Sequence, residues 1–228
     1  MTDAFPPATL EFLAALREHN TREWFDSRRP RYEKDVVAPA KAVVTALAPV
    51  LDRLSPGIHA EPRVLGSIFR INRDTRFSAD KRPYKDHLDF WFWHGPRTTA
   101  VSGLFLRLSP DGLSVGAGAH GLDKDRLHRY RVAVGDPAAG TALVDLGAAL
   151  ERRGIGLAGR SLVRPPKGYE AAPDAAPFLL HKALFAATTD PAESATDPAL
   201  LELLERRWAP LVPLHEWLVE HVQDGPGD

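Results

Sequence analysis

Apolar positions along the chain change period more than once, and each change marks a change of element. In "ATLEFLAALREHN" Leu10, Leu13 and Leu16 recur three apart with Phe12 beside them, the pattern of a short amphipathic helix. Asn20 fits the N-cap of the next helix, with Glu23 at its third position as in a capping box. Pro30 interrupts or restarts that helix. The pattern stays helical from Arg31 to Leu54, with a kink or break expected at Pro39, and "SPG" at 55–57 ends it.

The period then falls to two. "VLGSIFRINR", "HLDFWFW" and "TAVSGLFLRL" read as strands, and "SPDG" at 109–112 turns the chain into a hairpin partner, "LSVGAGA". These elements predict an antiparallel meander. "LDKDRLHRYRVAV" and "PAAGTALVDLGAALERRG" return to helix, the first with Leu122, Leu127 and Tyr130 as core contacts, the second stopped by Gly154. "IGLAGRSLVR" reads as a late strand. "FLLHKALFAATT" and "PALLELLERRWAPLVPLHEWLVEHV" read as helical, with Pro210 and Pro213 bending the latter. "QDGPGD" reads as a polar tail, so the ordered core is expected over about residues 5–222. No repeat and no clear linker divide the chain. The expected fold is one α+β domain over 1–228, with an antiparallel sheet of about five strands and helices packed on it.

Composition narrows the chemistry. With no cysteine, disulfides, thiolate chemistry, cysteine-bound zinc and iron–sulfur sites are excluded. No apolar run approaches a membrane span and no signal-peptide pattern opens the chain, so the expectation is a cytoplasmic protein with no membrane partner. Twenty-nine basic residues balance 30 acidic ones, which argues against general nucleic-acid binding. Two motif matches fail on context. "GIGLAG" at 154–159 follows a helix rather than a strand, and Gly154 reads better as a helix C-cap. "HEWLVEH" sets His215 and His221 six apart, on different helix faces, where a zinc pair needs one turn. The other histidines, His87 among them, show no ligand spacing.

Charge is nevertheless concentrated. From Phe69 to Lys85, Arg70, Arg73, Arg76, Lys81, Arg82 and Lys85 face only Asp74 and Asp80, a local charge of +4 in a chain of net -1. A strand over 67–73 puts Arg70 and Asn72 on one face and Phe69, Ile71 and Arg73 on the other. The remainder forms a loop. Guanidinium groups suit bidentate recognition of phosphate or carboxylate. "RPPKGY" at 164–169 offers a second basic loop with Arg164, Lys167 and Tyr169. The bland alternative is a structural network in which Asp74 orients Arg76 or Arg73 and Asp80 caps a turn. "DFWFWHG" is read as a strand buried on both faces in preference to an aromatic ligand platform. Gly116 and Gly118 leave room on one face for a bulky neighbour or a ligand.

The strings "FLAALREHNTREWFDSRRPRY", "IFRINRDTRFSADKRPYKDH", "VGAGAHG", "SLVRPPKGY" and "FLLHKALF" resemble the bacterial, and some fungal, proteins grouped as domain of unknown function 2461, over nearly the whole chain. The departure is His19, where that family usually has a second asparagine before Asn20. The resemblance carries no activity with it. It implies that the family's signature positions are Trp24, Phe25, Arg28 and Tyr32, then Arg70, Arg73, Asp74, Arg76, Phe77, Asp80, Lys81, Tyr84 and Lys85, then Lys167, Gly168 and Tyr169.

The leading expectation is a binding domain for a phosphate-bearing or carboxylate ligand. Arg70, Arg73, Arg76, Lys81, Lys85 and Lys167 would contact the anion, with Trp24, Arg28, Tyr32, Tyr84 and Tyr169 around it. No cofactor and no metal belong to that reading. The first alternative is an enzyme on phosphate esters or nucleotides that uses Asp74 and Asp80 with Mg²⁺. The second is a protein-interaction module built on a structural ion-pair network. Oligomeric state is not legible.

Overall fold

The computed structural model describes residues 4–223; apart from Gln223, the expected polar tail lies outside the described residues. The fold is α+β, with a five-stranded antiparallel sheet in the order β1-β2-β3-β5-β4. The strands are β1 Leu88–Trp93, β2 Gly103–Ser109, β3 Gly112–Ala119, β4 Leu157–Arg160 and β5 His181–Asp190. By internal contacts the chain divides into two compact units: residues up to Phe92 with 105–115 and 189–206, and residues 93–104, 116–188 and 207 onward.

In the first unit, α1 (Pro7–Glu18) opens on a proline at N1, where no N–H is required, and buries Phe12, Leu13 and Leu16. The helix α2 (Arg22–Ser27) is capped by Thr21, whose side chain accepts from the Trp24 N–H. The expectation for Asn20 is therefore corrected by one residue. Its amide is occupied elsewhere, donating to the Tyr84 carbonyl and accepting from the Tyr84 N–H, both at 3.0 Å. A short helix, α3 (Arg29–Tyr32), runs through a π-helical turn at Glu33–Val37 into α4 (Ala38–Leu54). That wide turn is how the chain accommodates Pro39. Proline has no N–H for the carbonyl four residues back, that of Asp35, and would clash with it in a regular helix. The buried Thr9 hydroxyl of α1 takes that place, donating to Asp35 O at 2.5 Å.

The expected strand over 64–73 is realised only as isolated bridges, Ile68 with Phe90 and Asn72 with Tyr84. Leu65 turns the chain at φ 67°, and pairing reaches β1 through Phe69 N–H to Asp89 O and Trp91 N–H to Ser67 O, each 2.9 Å. The segment covers the sheet's edge without becoming a sixth strand, which blunts a pairing template. Phe90 and Phe92 are fully buried on one side of β1, and Phe90 meets Phe5 at 6.0 Å. Asp89 and Trp91 share the other face of the strand.

In the second unit, Asp123 and Asp136 cap α5 (Lys124–Gly135) and α6 (Pro137–Glu151) through their carboxylates. Gly154, at φ 73°, closes α6 in a Schellman arrangement, with Ile155 N–H to Leu150 O at 3.0 Å and Gly154 N–H to Glu151 O at 2.9 Å. A strand, β4, follows it, so no strand–turn–helix context exists for the glycine match. The helix α7 (Leu200–Trp208) ends before Pro210, and α8 (Val212–Val222) starts afresh with Pro213 in its first turn. Trp208 Nε1 donates to Gly116 O at 3.1 Å and Trp217 Nε1 to Ala139 O at 3.0 Å. Gly118, at φ 124°, lies so close to β5 that a Cβ would sit 2.3 Å from Leu184 O.

One element is of the wrong type in the sequence reading. Residues 178–189 form the end of a 3₁₀ turn (Ala176–Leu180) and then β5, not a helix. Leu and Ala are good helix formers, but intrinsic propensity is a weak determinant, and ladder pairing on both sides overrides it. The buried alternation of His181, Leu184 and Ala186 follows the strand, with an irregularity opposite Gly159 in β4.

Candidate functional site

The charged loop is held at its root by elements of the first motif. Arg73 N–H bonds Pro83 O and Lys85 N–H bonds Ile71 O, both at 2.8 Å, closing the excursion. Asn20 fixes the Tyr84 backbone from the other side. The Tyr84 ring stacks on Phe25 with centroids 4.1 Å apart.

Inside the loop, most cations have local partners. Arg76 forks onto Asp74 through Nε and Nη2, at 3.0 and 2.6 Å, and Arg82 forks onto Asp80 at 2.9 and 2.8 Å. Each aspartate also accepts the backbone N–H two residues on, the Asx-turn geometry. Arg73 adds Nη1 to Asp80 at 2.7 Å and to Arg82 O at 3.2 Å, and Lys81 Nζ caps Thr75 O at 3.0 Å. Arg76 holds the Asp74 carboxyl below its ordinary range, and Arg82 with Arg73 does so for Asp80. Both aspartates are thus carboxylates occupied by arginine. Among the described residues, no group of three or more His, Asp or Glu side chains is placed to hold a metal. At the tip, Arg76 and Phe77 stand 77% and 96% exposed.

Beside the loop root lies a cleft of about 420 Å³ lined by Phe69, Arg70, Asn72, Arg73, Asp74, Lys85, His87, Asp89 and Arg107. Its centre is Asp89, on the open face of β1. The carboxylate accepts from Lys85 Nζ at 2.9 Å and Arg107 Nε at 2.6 Å, and His87 Nε2 lies at 3.4 Å. Burial alone would raise this group; hydrogen bonds from His87, Arg107 and Lys85 outweigh it and hold Asp89 well below the carboxylate range. The other ring nitrogen of His87 lies 3.1 Å from Asp86, which Arg17 clamps at 2.7 Å while forking onto Asp111. Arg70 makes no hydrogen bond or ion pair among the described residues. Arg107 uses only Nε, and its two terminal amino groups are likewise without a hydrogen bond there.

The predicted site residues therefore separate. Arg70, Arg73, Asp74 and Lys85 share the cleft. Arg76 and Lys81 belong to the outer loop. Tyr32 and Tyr84 are buried: Tyr32 packs on Phe25 at 5.0 Å, and burial pushes its phenol up to about 12. Trp24 is stacked by His19 at 5.8 Å and by the Arg28 guanidinium at 4.7 Å. Lys167, Gly168 and Tyr169 belong to the second unit, where the Tyr169 hydroxyl bonds His128 Nδ1 at 2.8 Å and Arg131 lies over its ring. Sequence reasoning missed His87, Asp89 and Arg107. The signal for the last two is their alternation. Arg107 is the one cation in β2 and Asp89 the one acid in β1, each between residues of the buried face.

A second cleft of about 550 Å³ occurs in the second unit, between α5, α6 and α8. Two of its charged groups have structural duties: Asp136 caps α6 and Arg129 Nε donates to Val222 O at 2.9 Å. No described helix is long and apolar enough to cross a membrane. Searches of curated proteins and of solved structures give no match. The family model described as conserved hypothetical protein (DUF2461) matches residues 8–217, a span that contains the charged loop, its Asn20–Phe25 support and the cleft, and the chain belongs to that family.

Proposed function

We propose that the protein binds an anionic small molecule, bearing phosphate or carboxylate, in the cleft centred on Asp89. The observation that carries this reading is Arg70, a guanidinium with no hydrogen bond or ion pair among the described residues, in the lining of a cleft that already holds Arg73, Lys85 and Arg107. Within the charged segment Arg73, Arg76 and Arg82 each hold an acid, and Arg70 forms no such pair among the described residues. The Asp89 carboxylate aligns Lys85 and Arg107 in advance, so their ordering does not have to be met by the ligand. Metal-assisted chemistry at Asp74 and Asp80 is less favoured, because a cation would have to displace their arginines.

The test is thermal unfolding and titration calorimetry with inorganic phosphate, pyrophosphate and citrate, against chloride at matched ionic strength. A ligand at 100 times its Kd adds about 2.7 kcal/mol to stability. A selective shift that Arg70→Ala abolishes is the expected result. No shift with any anion would leave the cleft's charges purely structural. The fully exposed Phe77, beside Arg76 at 5.8 Å, favours a second reading, in which the loop tip docks a protein partner. Under that reading Phe77→Ala abolishes partner capture without altering anion binding.

A further inference from the structure

We infer that the anion taken by this cleft is doubly charged, a phosphate monoester rather than a carboxylate or a diester; the inference rests on the anion-binding reading above. Four cations, Arg70, Arg73, Lys85 and Arg107, line the cleft against two carboxylates, Asp74 and Asp89, an excess of two positive charges. The excess is not an accident of where the cleft is drawn. Following the ion pairs outward among the described residues brings in Arg17, Arg76 and Arg82 with Asp80, Asp86 and Asp111, equal numbers of each sign. With His87 counted neutral, the whole network therefore carries the same surplus of two.

The surplus has an address. Among the described residues Arg70 forms no ion pair, since Asp74, whose carboxyl it helps to lower, is already held by Arg76, and Lys85 and Arg107 share the single acid Asp89. A monoanion bound between them matches one of the two surplus positive charges; a dianion matches both, and so gains more from the same field. The free donors agree with the charge. Arg70 offers its entire fork and Arg107 its two terminal amino groups, enough to engage a phosphoryl group with three terminal oxygens. A monoester presents three such oxygens and close to two charges at neutral pH, where a diester presents one charge. A volume of about 420 Å³ lies in the range of small-molecule sites, leaving space for an organic body beside Asn72 and Phe69.

Calorimetry at one neutral pH and constant ionic strength, with methyl phosphate, methyl sulfate, dimethyl phosphate and succinate, isolates charge from shape. Methyl sulfate matches methyl phosphate in geometry and has one charge fewer. Methyl phosphate is expected to bind about tenfold or more tighter than methyl sulfate or dimethyl phosphate, the scale of one added charged hydrogen-bond set. In Arg70→Gln, which breaks no hydrogen bond or ion pair among the described residues, the thermal midpoint of the free protein should hold and the preference should fall below about threefold. Equal binding of methyl sulfate and methyl phosphate overturns the dianion inference and leaves anion binding standing; tighter binding of succinate, itself a dianion, overturns the phosphate-monoester assignment and leaves the double charge standing. A preference undiminished in Arg70→Gln overturns the assignment to this cleft. Binding of none of the four overturns both readings.

Discussion

Lowering the pH from about 7.5 to 5 should destabilise this protein by about 2 kcal/mol through a single buried imidazole. His215 on α8 is wholly inaccessible; Nδ1 lies 3.0 Å from the Ser102 hydroxyl, and Nε2 is buried without a hydrogen-bond partner among the described residues. Burial pushes the ring's pKa down to about 3, and the stacked His94 ring, 5.2 Å away, pushes in the same direction. In the unfolded chain a histidine titrates near 6.5. Between those values the unfolded state binds a proton that the folded state refuses, so stability is complete above about 6.5 and is lost as the pH falls toward 3. Each pH unit within the window is worth about 1.4 kcal/mol, and about 1.5 units of it lie above pH 5. Carboxylates held low, such as Asp80 and Asp89, do not confuse the measurement. Their contribution is present above the ordinary carboxylate pKa and is lost only below it. The assay is urea unfolding at several pH values for the native chain and for His215→Asn, which retains a polar atom for Ser102. His181, also lowered by burial, remains in both proteins and cancels in the difference. If the two proteins lose stability in parallel between pH 7.5 and 5, the assignment of a neutral buried His215 is wrong.

Three further perturbations probe the support of the site. Asn20→Ala removes both hydrogen bonds to the Tyr84 backbone; a loss of about 1–3 kcal/mol is expected by denaturation, with faster amide exchange across residues 73–85. Gly118→Ala places a methyl group within 2.3 Å of Leu184 O on a left-handed backbone and should cost more than about 3 kcal/mol, seen as a large drop in unfolding midpoint. Asp89→Asn should act in opposite directions on two readouts. Stability falls by about 2 kcal/mol as Lys85 and Arg107 lose their shared carboxylate, while phosphate affinity rises because the cleft gains positive charge. A fall in both would mean that Asp89 orients its cations more than it offsets them.

The parts of the fold set by local chemistry were legible in the sequence. The Schellman end at Gly154 and the strands of the β1–β2–β3 meander follow from side chains acting on their own neighbourhood. The parts set by distant partners were not. Residues 181–190 have helix-forming leucine and alanine, and only pairing with β3 and β4 makes them a strand. Asn20 has an N-cap's residue type and position, but its amide finds a backbone 64 residues away, and Thr21 takes the cap.

The same distinction orders the candidate site. Composition located the charged loop but could not say which of its cations were available. The Asp-x-Arg spacing decides much of it: Asp74 and Asp80 each turn back onto the arginine two residues later, an arrangement that forms within the loop and leaves those arginines little to offer a ligand. A cation becomes available when the acid nearest to it in sequence is already taken. For Arg70 that acid is Asp74, held by Arg76. For Arg107 it is Asp111, held by both terminal nitrogens of Arg17 at 2.8 and 2.7 Å, from a helix 94 residues away. The first of these is visible in the loop sequence alone. The second requires the fold, because α1 must be packed near the β2–β3 turn before Arg17 can remove Asp111 from competition. Electropositive potential in the cleft is thus produced by arginines outside it, and a substitution at Arg17 should weaken anion binding by releasing two carboxylates toward the cleft's cations rather than by removing a ligand contact. Salt dependence separates the two effects, since a released carboxylate acts through a screened field and a lost contact does not.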